Sequence, residues 1–145
     1  MKRLVRMAFF VLLGVSAGRI GAEDAAAYRV IVHPSNPTTQ LTRLRVGEMF
    51  LRKQTRWPDG RPVAVVELPT KSTVRQRFTQ EMYGKTVMAV SAYWQQMIFS
   101  GKGIPPPEKA TDAEIVAFVR DTPNGIGYVG AGADVSGVRI LVIED

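Results

Sequence analysis

Thr111-Asp-Ala-Glu-Ile-Val-Ala-Phe-Val-Arg-Asp-Thr-Pro-Asn-Gly-Ile-Gly-Tyr-Val129 packs a helix, a stop and a strand into one short stretch. Thr111 and Glu114 have the spacing of a capping box, in which each side chain satisfies a backbone N–H that the first helical turn leaves unpaired. Ile115, Phe118 and Val119 follow at helical spacing, so the helix has one apolar face. Pro123-Asn-Gly125 ends it, and Ile126-Gly-Tyr-Val129 is β-rich. A helix that runs through a tight break into a strand belongs to a chain whose helices cover a sheet.

The same alternation extends outward in both directions. Downstream, Val138 to Ile143 reads as a last strand. Upstream, Gly101-Lys-Gly-Ile-Pro-Pro-Pro107 cannot be helix or central strand and reads as an exposed connector. Thr86 opens a helix with Val87, Val90, Trp94 and Met97 on one face, and Ser72 caps another with Val74, Phe78 and Met82. Val63 to Val66 is a buried strand, and Trp57-Pro-Asp-Gly60 a tight turn before it. Thr42 starts a helix that reaches about Lys53, weakened by Gly47. Tyr28 to His33 is a strand ended by Pro34, followed by turn residues as far as Thr39. The expected class is α/β, a small mixed sheet flanked by helices.

At the N-terminus, Lys2, Arg3 and Arg6 precede an apolar run from Met7 through Val15, with small residues up to Ala22. This is the layout of a secretory signal peptide, too short to span a membrane, which takes about 20 apolar residues. The expected organisation is residues 1–22 as signal and 23–145 as one domain, exported to the periplasm and not membrane-embedded after cleavage. The whole chain carries 19 Lys and Arg against 13 Asp and Glu, a formal +6. Four of the basic residues, Lys2, Arg3, Arg6 and Arg19, leave with the signal, so the basicity does not point to nucleic acid. With no Cys, disulfides, thiolate metal sites and thiol catalysis are excluded, and a single His argues against a His-rich metal site or an ordinary Ser-His-Asp enzyme.

Three stretches, in order, resemble the phosphate-binding proteins of bacterial ABC transporters, within the type II periplasmic binding protein superfamily. Val32-His-Pro-Ser-Asn-Pro37, Leu41-Thr42, Met49-Phe50-Leu-Arg-Lys53 and Trp57 are similar to that family's Asn-Pro strand exit, its Leu-Thr-capped helix ending Ile-Phe-x-Gly-Lys, and its following Trp. Ser72-Thr-Val-Arg75-Gln-Arg-Phe78 is similar to Ser-Gly-Thr-Arg-x-x-Phe, and Pro123-Asn-Gly-Ile-Gly-Tyr-Val129 to Pro-Gly-x-Ile-Gly-Tyr-Val. The resemblance implies a single lobe of a two-lobed fold, the second lobe, with the first one absent. It also shows departures: Leu68 stands where the family has an Arg, and Thr73 and Val74 replace its Gly and Thr.

What the resemblance implies is an inorganic phosphate or similar oxyanion held at the start of the Ser72 helix by Thr70, Lys71, Ser72, Thr73 and Arg75. A helix N-terminus suits an anion through its unpaired N–H groups and dipole. The plainer reading is an ordinary Ser72 cap with Lys71 and Arg75 solvated. A lone lobe closes nothing over a ligand, so a homodimer or another protein would supply the opposing wall. No catalytic constellation, metal-ligand spacing or cofactor motif is present in the sequence. The stretch from Arg43 to Arg77 concentrates Arg43, Arg45, Arg52, Lys53, Arg56, Arg61, Lys71, Arg75 and Arg77 against Glu48, Asp59 and Glu67. The alternative function is therefore an interaction module without a ligand, docking through this basic face on a transporter, porin or sensor protein. His33 reads as a hydrogen-bonding loop residue.

Overall fold

The computed structural model describes residues 27–145; the expected signal peptide and its cleavage site lie outside the described residues. Strand β1 (Tyr28–Val32) lies in the middle of a mixed sheet. It pairs antiparallel with β4 (Gly125–Gly130) on one side and with β5 (Arg139–Ile140) on the other, and β3 (Ala64–Val65) joins the far edge of β4 in parallel. Among the described residues four helices accompany the sheet: α1 (Arg43–Phe50), α2 (Thr73–Tyr83), α3 (Val87–Phe99) and α4 (Asp112–Asp121). This is the small mixed sheet flanked by helices that the sequence predicts.

All six residues of β4 are buried, because both of its faces are covered. On one face α4 lies so close that a Cβ added at Gly127 would come within 2.9 Å of the side chains of Ile115 and Val66. Glycine at this position is a packing requirement. On the other face Phe78 of α2 stacks on Tyr128 with ring centroids 3.9 Å apart, and Phe50 of α1 and Tyr28 meet Phe78 edge-on. Aromatic contacts of this kind add about 1 kcal/mol each to the burial of the rings. The capping box at Thr111 and Glu114 is formed, and Thr42, Ser72 and Thr86 cap α1, α2 and α3 through their hydroxyls.

Three expectations are corrected. The last strand is two: Leu141 is buried between β5 and β6 (Val142–Glu144), and β6 leaves the main sheet to pair in parallel with β2 (Gln40–Thr42). Residues 40–42 were expected only to lead into a helix, and three residues give too little alternation to reveal a strand. The connector is not wholly exposed: Pro106 is buried, and the chain after it pairs with Glu67 through Glu67 N–H to Pro107 O and Lys109 N–H to Glu67 O. Finally, α1 stops at Phe50 rather than Lys53. The N–H groups of Lys53 and Arg52 return to the carbonyls of Glu48 and Met49, the Schellman closure, and Arg52 takes the left-handed position with φ 56°. Glycine is the usual residue there.

Candidate anion-binding site

The chain leaves β3 along Val66, Glu67, Leu68 and Pro69, turns, and enters α2 at Ser72. The turn is closed by Ser72 N–H donating to Pro69 O at 2.9 Å. The Ser72 hydroxyl accepts from Arg75 N–H at 3.2 Å, and Ser72 O accepts from Gln76 N–H. The N–H groups of Thr73 and Val74 then point out of the helix end, as the first turn of any helix requires. Thr70, Lys71 and Thr73 are exposed around them, and Ser72 is half-buried. Four of the five expected contacts thus share one solvent-facing turn.

Arg75 is placed differently. Its side chain is buried beneath the turn, where Nη1 donates to Leu68 O at 2.8 Å and to Glu108 Oε1 at 2.7 Å, and Nη2 lies 3.2 Å from Glu67 Oε2. The guanidinium therefore ties three segments together: the strand exit, the helix and the end of the Pro-rich connector. Burial opposes its charge, but Glu67, Tyr128 and Glu108 outweigh that and hold it protonated. Burial pushes the Glu67 carboxyl up to about 7, Arg75 pulls it back, and Glu108 adds to the rise. Burial also raises the Tyr128 hydroxyl, and the Glu67 charge reinforces the shift. Glu67 and Glu108 had no part in the expected site. The readable signal was Glu67 itself, a carboxylate between Val66 and Leu68 in an apolar run, which has to find a cation when it is buried.

The basic stretch is dispersed by folding. Arg43 pairs with Asp145, Arg61 with Asp59, Arg77 with Glu81 and Arg75 with the two glutamates, while Arg56 donates to Gly60 O. Arg45, Arg52, Lys53 and Lys71 are exposed and pair with no carboxylate among the described residues. His33 accepts from Ser35 N–H at 3.1 Å and bonds the Ser35 hydroxyl at 2.7 Å, the local loop role expected of it. Among the described residues no cluster of His, Cys, Asp and Glu could hold a metal ion, and no helix is long and apolar enough to cross a membrane.

This arrangement of strands and helices has counterparts among solved structures. A phosphate ABC transporter substrate-binding protein with bound phosphate from Clostridium perfringens superimposes with a TM-score of 0.62 at 21% identity, over 82% of this chain and 46% of the other. An ABC-type phosphate transport receptor from Vibrio cholerae gives 0.64 at 18%, over 83% and 48%. A possible phosphate binding protein from Planctomyces limnophilus gives 0.62 at 18%, over 81% and 41%. The fold is half of such a protein's. The chain spans less than half the length of each of these structures, consistent with a single lobe of the periplasmic binding protein-like fold. No family model and no curated protein matches the sequence.

Proposed function

We propose that the chain is an exported, non-enzymatic module that binds an inorganic oxyanion, phosphate foremost, at the turn before α2. The observation that supports it most directly is the turn at Ser72, where a capped helix start is surrounded by Thr70, Lys71 and Thr73 on a fold shared with phosphate-binding proteins. Thr73 and Val74 N–H groups, the Thr70, Ser72 and Thr73 hydroxyls and the Lys71 ammonium are the donors. Lys71 supplies a point charge without the fork of an Arg. Arg75 acts from below: it fixes Leu68 O and the helix start, and its own charge is already matched by Glu67 and Glu108.

An open turn on one lobe gives weaker binding than a ligand enclosed between two, unless a second copy or another protein covers it. Calorimetry of the chain with phosphate, sulfate and arsenate tests the reading. Heat of binding is expected at millimolar anion, reduced by Lys71→Ala and by Ser72→Ala. The second variant also costs about 1 kcal/mol of stability through the lost cap. Absence of both heat and thermal shift at millimolar anion rejects the reading.

A second reading rests on Arg45 and Arg52, exposed on or next to α1 and unmatched by carboxylates among the described residues. In it the lobe has lost its ligand and docks on a transporter, porin or sensor protein. Charge reversal at Arg45, Arg52 and Arg56 should then abolish capture of that partner and leave anion binding untouched.

A further inference from the structure

A groove of about 300 Å³ runs between α1 and α3 and shares no lining residue with the anion turn: its walls come from α1 and the residues just after it, the end of α2, and α3 with the link before it. Leu44, Leu51, Ala89 and Val90 form its apolar walls, with Met82 and Tyr83 at the end of α2 beneath them. Gly47 keeps the floor low, since a Cβ there would lie 3.2 Å from the Tyr83 ring. The groove is open to solvent, and Leu44 on its edge is 70% exposed.

Helix α3 is unusual for an outer helix because none of its residues is charged. Only Val90 and Trp94 are buried; on the groove side Ala89 is exposed and Tyr93 half-buried, while Met88 and Phe99, 81% and 97% exposed, lie outside the groove lining. A helix that is apolar on nearly every side is normally covered on every side. The edges of the groove are charged, and mostly of one sign. Lys53 and Lys85 line it, with Lys53 Nζ 5.8 Å from the centre of the Tyr93 ring, and the exposed Arg52 stands in the chain between the lining residues Leu51 and Lys53. Glu48 is the sole carboxylate in the lining. Arg52 moreover holds a left-handed backbone that glycine would take without strain, so its side chain is kept at a cost to the fold.

We propose that this groove receives an amphipathic helix from an acidic partner protein. The apolar stripe of that helix covers Leu44, Leu51, Ala89 and Tyr93, and carboxylates flanking the stripe face Lys53, Lys85 and Arg52. The mode is that of a helix laid in a groove, with charge setting the choice of partner. The proposal deepens the docking reading by naming the surface and the chemistry of the partner, and it does not depend on anion binding at Ser72.

Two synthetic helical peptides test it, sharing one leucine stripe and flanked in one case by Glu, in the other by Lys. Titrated into the isotope-labelled protein, the Glu peptide should shift amide resonances of residues 44–53 and 85–93 with a Kd below about 100 μM. The Lys peptide should bind at least about tenfold more weakly, and K53E with K85E should reverse the order. Equal binding of the two peptides, shifts that map elsewhere, or no binding of either overturns the proposal. Groove resonances that move with protein concentration alone would overturn it in favour of a second copy. Binding of phosphatidylglycerol vesicles without binding of the Glu peptide would overturn it in favour of a membrane surface. If the peptides fail but reversal of Arg45, Arg52 and Arg56 still abolishes partner capture, the docking reading stands and this groove is not its site.

Discussion

The two ends of α2 solve opposite problems. At its start, Arg75 is buried with Glu67 and also meets the exposed Glu108, so the charge beneath the turn is matched, and the turn that carries Lys71 is held by hydrogen bonds to Pro69 and Leu68. At its end, Met82 and Tyr83 line an apolar groove whose edges carry Lys53 and Lys85, which pair with no carboxylate among the described residues. Internal pairing makes the first end a support: charge that is matched inside the protein orients backbone and is not offered to a ligand. Unmatched charge beside uncovered apolar surface makes the second end a surface for something else. The contrast is open to attack at either end.

The largest effect is expected from Arg75→Met. Removing the guanidinium leaves Glu67 buried beside Glu108 with no cation, and breaking a buried ion pair from one side costs about 3–5 kcal/mol. Urea denaturation should show that loss, and adding Glu67→Gln should recover much of it, because the orphaned charge goes too. If Arg75→Met is nearly neutral, the cluster is not the support described. A cation at the corresponding place in the groove, Lys85, should be replaceable with no measurable loss.

The cluster should also make stability depend on pH. The Glu67 carboxyl, ordinarily near 4.5, is pushed up to about 7 by burial in the fold. A carboxyl whose folded value is raised binds its proton more tightly when folded, so its contribution is fully present below the unfolded value. It is lost as pH rises through the folded one. Stability should therefore fall by a few kcal/mol at most between about pH 5 and pH 8. Glu67→Gln should flatten that slope, as chemical denaturation across the range would show. A rise in stability over the same range would mean that Arg75 dominates and holds Glu67 ionised.

Sequence patterns revealed the support end only in part. The Ser72 cap, the face of Val74, Phe78 and Met82, and the strand before the turn are local features, and local spacing carries them. One partner of Arg75, Glu108, is 33 residues away beyond a Pro-rich connector, and the other, Glu67, lies on the strand exit before the turn, so no periodicity connects the three. Arg75 accordingly read as part of an exposed anion site, while the fold took it inside. The groove was hidden for the same reason. Its walls come from residues near 44–53 and 82–93, each regular by itself, and only the packing of α1 and α3 around the end of α2 makes a concavity. What the sequence did display was the absence of charge from Val87 to Phe99, which reads equally well as a buried helix or as one awaiting cover.

The smallest effect separates cost from use at the groove. Arg52→Gly relieves a left-handed backbone at the Schellman closure of α1, where a residue with a Cβ is disfavoured by about 1 kcal/mol. The side chain of Arg52 is exposed and makes no ion pair among the described residues, so little is lost in exchange. Thermal unfolding should therefore show the variant slightly more stable than the parent. Because the substitution removes a cation from the edge of the groove, the same variant should bind the Glu-flanked peptide more weakly. A gain in stability together with a loss in binding would mean that Arg52 is held at that corner for its charge. A gain in stability with binding unchanged would leave Lys53 and Lys85 to set the preference for carboxylates.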